Sequence, residues 1–215
     1  MVEALAAITN ELPVPESPKR LAIIDAATRL FVGAGFGATS MDAIAAEANV
    51  SKRTVYSHFE NKEALFAGVM EGMCARQKTD DVCPLNCGEE VSSAPPEVML
   101  KRMAVHLLTM ITSAETNELF RVVMGEAGRF PELGRTFYDN GPGWVIAAVT
   151  DYVKNRNAEG VMDVADPELA GRQYLALVVD PLKLELTLGI KQPPTAVEIE
   201  QVADDAVCAF MKIYS

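Results

Sequence analysis

Only two histidines and one tryptophan occur among the 215 residues of this chain, and they stand in no recognisable catalytic setting. No G-x-S-x-G, no H-E-x-x-H and no framed pair of carboxylates is present, so the usual nucleophilic and metal-hydrolytic sets are missing. The chain is therefore expected not to be an enzyme and to need no cofactor. No run of about 18 uninterrupted apolar residues occurs, so no membrane partner is expected. The opening stretch MVEALAAITNELPVPE has no basic residue ahead of its apolar part and no clear cleavage site, and the expectation is a cytoplasmic protein. Strand-like alternation of useful length, internal repeats and low-complexity tracts are also missing. The chain has plenty of apolar side chain: 49% of residues are hydrophobic and 23% charged. That excludes intrinsic disorder and suffices for the core of one large or two small domains.

The charge is distributed unevenly. Residues 1–16 carry three acids and no base, residues 17–78 sum to +2, and residues 79–215 sum to −10, within a net charge of −11. A modestly basic third on an acidic body fits a first part that meets a polyanion and a remainder that repels it. Ordinary surface variation would account for +2 equally well.

Residues 1–16 read as a tail, with Pro13 and Pro15 opposing regular structure. Ser17 and Pro18 then open a helix with apolar residues at Leu21, Ile24, Ala27, Leu30 and Phe31, closed by Gly33 and Gly35. Thr39 with Asp42 has the spacing of a capping box for a short second helix. Ser51 stands where it can cap a third, and Asn61 a fourth with Leu65, Phe66, Val69 and Met73 as its stripe. Residues 79–96 form a linker rich in Asp, Ser, Gly and Pro. Beyond it nearly everything reads as helix: one from Pro95 and Pro96, one over 117–130, one over 142–157, one from Asp166 that Pro181 interrupts, and one from Thr195 to about Tyr214. Pro131 is expected to break the second of these into a short turn holding Leu133, Phe137 and Tyr138. The fold class is all-α. The organisation is a tail (1–16), a helix-turn-helix unit with a connecting fourth helix (17–78), a linker (79–96) and a C-terminal helical domain (97–215).

Three short helices with a tight turn at Ala48-Asn49-Val50 describe a helix-turn-helix. Asn49 tolerates the left-handed backbone that such a turn demands. The helix after the turn places Val55 and Phe59 inward and Ser51, Lys52, Arg53, Thr54, Tyr56, Ser57 and His58 outward, as a helix entering the major groove requires. Arg53 suits bidentate contact with guanine, and Lys52 suits guanine or phosphate. Ser51, Thr54, Tyr56 and His58 suit phosphate oxygens. Lys62, at the start of the fourth helix, stands where a helix N-terminus also attracts phosphate. Tyr56 and His58 would serve equally as core-edge residues.

The stretch IIDAATRLFVGAGFGATSMDAIAAEANVSKRTVYSHFENKEALFAGVM resembles the DNA-binding domain of the TetR family of bacterial transcriptional regulators. The resemblance is carried by AA-x-x-LF, GAGFGATS, IA-x-EA-x-VS-K-x-T-VY-x-HF and NKEAL, in order. It implies a homodimer of all-helical subunits that binds a palindromic duplex through its helix-turn-helix heads. A small effector bound in the C-terminal domain would lower DNA affinity. By position it places Thr39, Ser51, Lys52, Arg53, Thr54, Tyr56, His58 and Lys62 at the DNA. Asn49 stands where the family usually has Gly. FRVVMGEAGRFPELGRTFYDNGP and DPELAGRQYLALV resemble the AefR-like subgroup over roughly 117–180, which bears on architecture and leaves the effector unknown.

In the C-terminal domain, Met103, Phe120, Met124, Phe137, Trp144 and Tyr174 are candidates to line an apolar effector cavity, with His106 and Arg121 as its polar members. Helical spacing makes plain core the competing reading for each. Leu175, Val178, Leu182, Leu186, Val202, Ala206 and Phe210 offer apolar faces for a dimer interface built from the last helices, or for intramolecular core. Cys74, Cys83 and Cys87 cluster near the linker as a thiol or soft-metal sensor, or as incidental thiols; their spacing fits no strong zinc pattern, and no metal is assigned. Cys208 reads as core. A DNA-dependent scaffold that binds a protein partner is the remaining alternative to a regulator.

Overall fold

A computed structural model describes residues 17–76 and 94–214, with the side chains of 73–76 outside the description. Among the described residues there are eleven helices and no strand. They are α1 (Pro18–Ala34), α2 (Met41–Glu47), α3 (Lys52–His58), α4 (Lys62–Arg76), α5 (Pro96–Ile111), α6 (Ala114–Glu126), α7 (Pro131–Asn140), α8 (Pro142–Ala158), α9 (Pro167–Val179), α10 (Leu182–Thr187) and α11 (Ala196–Tyr214). The all-α class is as the sequence indicated.

Local chemistry sets most of the boundaries. Ser17 Oγ accepts from the Arg20 N–H at 3.2 Å, Ser51 Oγ from Thr54 at 3.1 Å, Asn61 Oδ1 from Ala64 at 2.7 Å and Asp166 Oδ1 from Leu169 at 3.0 Å. Each such cap is worth about 1 kcal/mol. Thr195 and Glu198 form a reciprocal capping box, with the Thr195 N–H donating to Glu198 at 2.8 Å and the Glu198 N–H returning to Thr195 Oγ1 at 3.3 Å. Those backbone and hydroxyl donors hold the Glu198 carboxyl below the usual carboxylate range.

Two expectations are corrected. The cap of α2 is Ser40, whose Oγ accepts from Ala43 at 3.1 Å, one residue after Thr39. Thr39 is instead 4% exposed and its hydroxyl donates to the Gly35 carbonyl at 2.7 Å. Its hydrogen bonding is satisfied inside the loop. The supposed turn after Pro131 is the ten-residue helix α7, with the proline at its first position, where its missing N–H costs nothing.

Two apolar clusters form. One joins α5, α8, α9, α10 and α11 around Leu108, Val149, Val178 and Phe210. The other fills the head around Phe31, Phe36, Phe66 and Val55, and it continues through Leu119 and Val123 of α6 and Leu133 of α7. The division of side-chain packing thus falls beyond the linker: α6 and α7 follow it in sequence but complete the core of the head. Helices α8 and α9 meet closely at Gly171, where a Cβ would stand 2.8 Å from the Ile146 carbonyl oxygen.

Candidate nucleic-acid interface

The turn between α2 and α3 rests on Asn49, which adopts φ of 52°. This is the left-handed region that short Asn side chains tolerate. The Val50 N–H reaches back to the Ala45 carbonyl at 3.0 Å, closing the turn. Helix α3 is then fixed from both ends. Val55 is fully buried, and Phe59 packs against α4 at Gly68, where a Cβ would stand 2.6 Å from the ring. The Arg20 guanidinium lies over that ring, 5.1 Å from its centroid.

The outward face carries the expected set. Ser51, Lys52, Arg53 and Tyr56 are exposed, and Thr54 and His58 are half-buried. Lys52 Nζ pairs with Asp42 Oδ1 of α2 at 2.8 Å, and the Asp42 carboxylate raises the lysine's pKa above its ordinary value. Ser51 Oγ and Thr54 Oγ1 share a 2.8 Å hydrogen bond. Arg53 has no hydrogen bond or ion pair among the described residues, which leaves its five donors available. Six of the eight assigned residues therefore lie on one short helix or at its cap.

The other two lie elsewhere. Thr39 is enclosed as described. Lys62 is turned into the protein: its ammonium donates to the carbonyl oxygens of Phe36 at 2.6 Å and Thr39 at 2.9 Å, and it lies 4.4 Å from the Phe36 ring centroid. The sequence assigned it to phosphate. Here it braces the α1–α2 loop, because three carbonyls and an aromatic face converge where its N-terminal position on α4 delivers it.

Sequence reasoning missed a second partner of that loop. Glu126, the last residue of α6, accepts from the Gly37 N–H at 2.6 Å. Phe130 stands edge-on to Phe36, with centroids 5.4 Å apart. Both residues belong to the EA-x-RF string that the sequence singled out without assigning it a task.

The candidate effector residues fall in several different settings. Met103 and Tyr174 are core, and the Tyr174 hydroxyl donates to the Leu100 carbonyl at 2.7 Å while burial pushes its pKa well up. His106 is half-buried, and desolvation lowers its pKa. Phe120 and Phe137 pair at 5.5 Å. Met124 and Trp144 are exposed, at 65% and 46%. Arg121 donates to the Leu186 and Thr187 carbonyls at 3.0 and 2.9 Å, satisfying the C-terminal end of α10. An open groove of about 700 Å³ does lie between α5 and α11, but its lining, which includes Val98, Lys101, Val207 and Met211, contains none of the eight. Cys208, read as core, is exposed on that groove. Cys83 and Cys87 lie outside the described residues, as does the side chain of Cys74.

Lys183 was also missed. It is 8% exposed, donates to the Ile111 carbonyl at 2.9 Å and to Asn117 Oδ1 at 3.2 Å, and faces the Phe120 ring. Burial, with the Arg121 charge nearby, pushes its pKa down to about 8. A lysine between leucines on a six-residue helix gives no sequence signal of this.

The candidate dimer residues divide between core and surface. Val178, Leu182, Leu186, Ala206 and Phe210 face the protomer's own core; only Leu175 and Val202 are half-exposed. The exposed apolar side chains of this region are Leu184, Leu188, Ile190, Val197 and Ile213, between 56% and 79% accessible.

Comparison with known proteins finds two matching stretches. Residues 98–215 match the family model described as AefR-like transcriptional repressor, C-terminal domain, and residues 23–69 match that of bacterial regulatory proteins, tetR family. The HTH-type transcriptional regulator YhgD of Bacillus subtilis is 29% identical over 78% of this chain and 90% of its own length. A solved TetR-family regulator from Mesorhizobium loti superposes with a TM-score of 0.75 at 29% identity, covering 92% of this chain and 96% of that one. The flavonoid-responsive regulator FrrA superposes with a TM-score of 0.73 at 34% identity, covering 92% and 97%.

Proposed function

The chain belongs to the TetR family of bacterial transcriptional regulators, and from that premise we propose that it is a homodimeric repressor released from a palindromic operator by a small, largely apolar effector. The observation that carries the DNA-binding part is the exposed face of α3, with Arg53 unengaged and Ser51, Lys52, Thr54, Tyr56 and His58 around it. Arg53 reads guanine; the others position the helix on phosphates. The description of the matching C-terminal model supports repression. The curated relative named an activator, FasR of Mycolicibacterium smegmatis, aligns over 58 residues, 27% of this chain, and so bears on a part and not the whole.

Dimerisation through α10 and α11 would cover Leu184, Leu188, Ile190, Val197 and Ile213, an apolar set that a lone protomer leaves in water. Two heads related by the dyad must then present their α3 helices about 34–36 Å apart, or a multiple of that, to enter major grooves on one side of the duplex. An effector that favours another separation releases the DNA, to the extent that it binds the two states with different affinity. The flavonoid response named for a relative 34% identical makes aromatic compounds the class to screen first.

The test is selection of bound duplexes from a random pool at near-physiological salt. Recovery of a palindrome establishes specific dimeric recognition. Recovery of no consensus, with binding that vanishes as salt rises, overturns the reading.

A further inference from the structure

We propose that α6 is the strut that sets the angle of the DNA-reading head, and that the Glu126 carboxylate is its positioning contact. The inference rests on the DNA-binding reading above and adds a residue that α3 does not contain.

Helix α6 is held at both ends. At its N-terminal half, the Asn117 amide donates to the Leu186 carbonyl at 3.2 Å, and Arg121 donates to Leu186 and Thr187. Those are the last carbonyls of α10, the helix that carries the exposed Leu184 and precedes Leu188 and Ile190. At its C-terminal end, Glu126 Oε2 accepts from the Gly37 N–H at 2.6 Å. The distance between the two grips along the helix, from Asn117 to Glu126, is about 14 Å at 1.5 Å per residue.

The loop that Glu126 grips leads directly into the helix-turn-helix. Gly37 lies three residues before Ser40, the cap of α2, and α2 leads through Asn49 to α3. Lys62 holds the same loop through its carbonyl oxygens, and Phe130 stands edge-on to Phe36. The loop is shaped for the carboxylate. A Cβ on Gly35 would stand 2.5 Å from Glu126 Oε1, and one on Gly37 would stand 2.8 Å from Oε2. Gly35 has φ of 87° and needs glycine for its backbone in any case. The φ of Gly37 imposes no such need, so what a side chain there would meet is Glu126 and Phe130.

A charge-assisted hydrogen bond of this length is among the stronger contacts available to a carboxylate. It joins a helix tied to the expected dimer side to the loop that aims α3. The head therefore has one orientation relative to the dyad, and the separation of the two α3 helices is fixed by it. Without the carboxylate Leu119, Val123 and Leu133 keep their places in the head's core, and the loop that leads to α3 loses its polar tie to α6.

The readout is tolerance to half-site spacing. One inserted base pair moves a half-site by about 3.4 Å and turns it by about 35°, which a rigid dimer resists and a loosened one accommodates. The palindrome selected by the full-length protein is remade as a ladder, with the spacer one or two base pairs shorter and longer. The wild type is expected to prefer one spacer about tenfold over its neighbours, equal to about 1.4 kcal/mol. Glu126→Ala is expected to bind the ladder within about threefold, with single half-site affinity unchanged and a wild-type melting profile. Glu126→Gln, which keeps an acceptor for Gly37, is expected to restore the preference. Should Glu126→Ala fail to fold, Gly37→Ala displaces the same carboxylate from the head side and is read on the same ladder. A spacer preference unchanged in these variants overturns the inference. Failure of the wild type to select two half-sites overturns the DNA-binding reading first, and the two failures are thereby distinct.

Discussion

The ammonium of Lys62 is shared between the Phe36 ring, 4.4 Å from its centroid, and the Phe36 carbonyl oxygen at 2.6 Å. One residue thus receives both a cation–π contact and a charge-assisted hydrogen bond from the same lysine. Lys62→Met removes both and leaves three carbonyls short of a donor. The expected loss is about 2 kcal/mol of stability, or roughly 2–4 °C in Tm for each kcal/mol. The salt slope of DNA binding should match the wild type. A slope reduced by about one with Tm intact would return Lys62 to the phosphates.

Arg53 and Lys52 should separate in a binding titration run at several salts. Arg53→Ala is expected to relax base preference at one position by about 1–3 kcal/mol. Lys52→Ala should weaken all sequences alike and lower the salt slope by about one. Neither should move Tm far, since both side chains are exposed and the Lys52–Asp42 pair is a surface ion pair.

Tyr174 is structural by its geometry. Tyr174→Phe keeps the edge-on contact with Phe210, whose centroid is 5.6 Å away, and strips the donor from the Leu100 carbonyl. A loss of about 1 kcal/mol in urea unfolding is expected, with no change in the response to any effector. An altered effector response at unchanged stability would put Tyr174 in the ligand site.

Lys183 gives a pH dependence whose sign can be worked out. Its pKa is lowered from an ordinary lysine value to about 8 in the fold. Between about pH 8 and about pH 10.4 the unfolded chain therefore holds more protons at this site than the folded one, and stability rises with pH. Below about 8 both states are charged and the full cost of burying the ammonium is present. Lys183→Met should erase this rise. The urea midpoint of wild type relative to variant is expected to increase from pH 7.5 to pH 9.5, and a flat difference would sink the assignment.

The dimer face can be tested by charge. Leu184→Glu and Leu188→Glu place carboxylates on exposed apolar positions and should shift the protein to monomer in sedimentation at unchanged helicity. Both are expected to abolish binding to the two-half-site duplex while leaving weak binding to one.

Much of the head is legible in the sequence. Ser17, Ser51 and Asn61 cap helices, Asn49 takes the left-handed turn, and Val55 and Phe59 point inward, because capping, turn conformation and helical periodicity act over three or four residues. What lies between distant segments was not legible. Glu126 meets Gly37 across 89 residues of chain, Arg121 meets Leu186 across 65, and Lys183 meets Ile111 across 72. Five of seven candidate interface residues went inward because helical periodicity shows that a helix has an apolar face without saying which neighbour covers it. The sequence by itself determined the all-α class and the short capped helix that follows the Asn49 turn. The tertiary structure decided that Lys62 and Thr39 hold a loop and that α6 and α7, beyond the linker, complete the head's core. The reason is physical: local hydrogen bonding is fixed by neighbours in the chain, whereas the partner of a buried charge or an apolar face is chosen by packing.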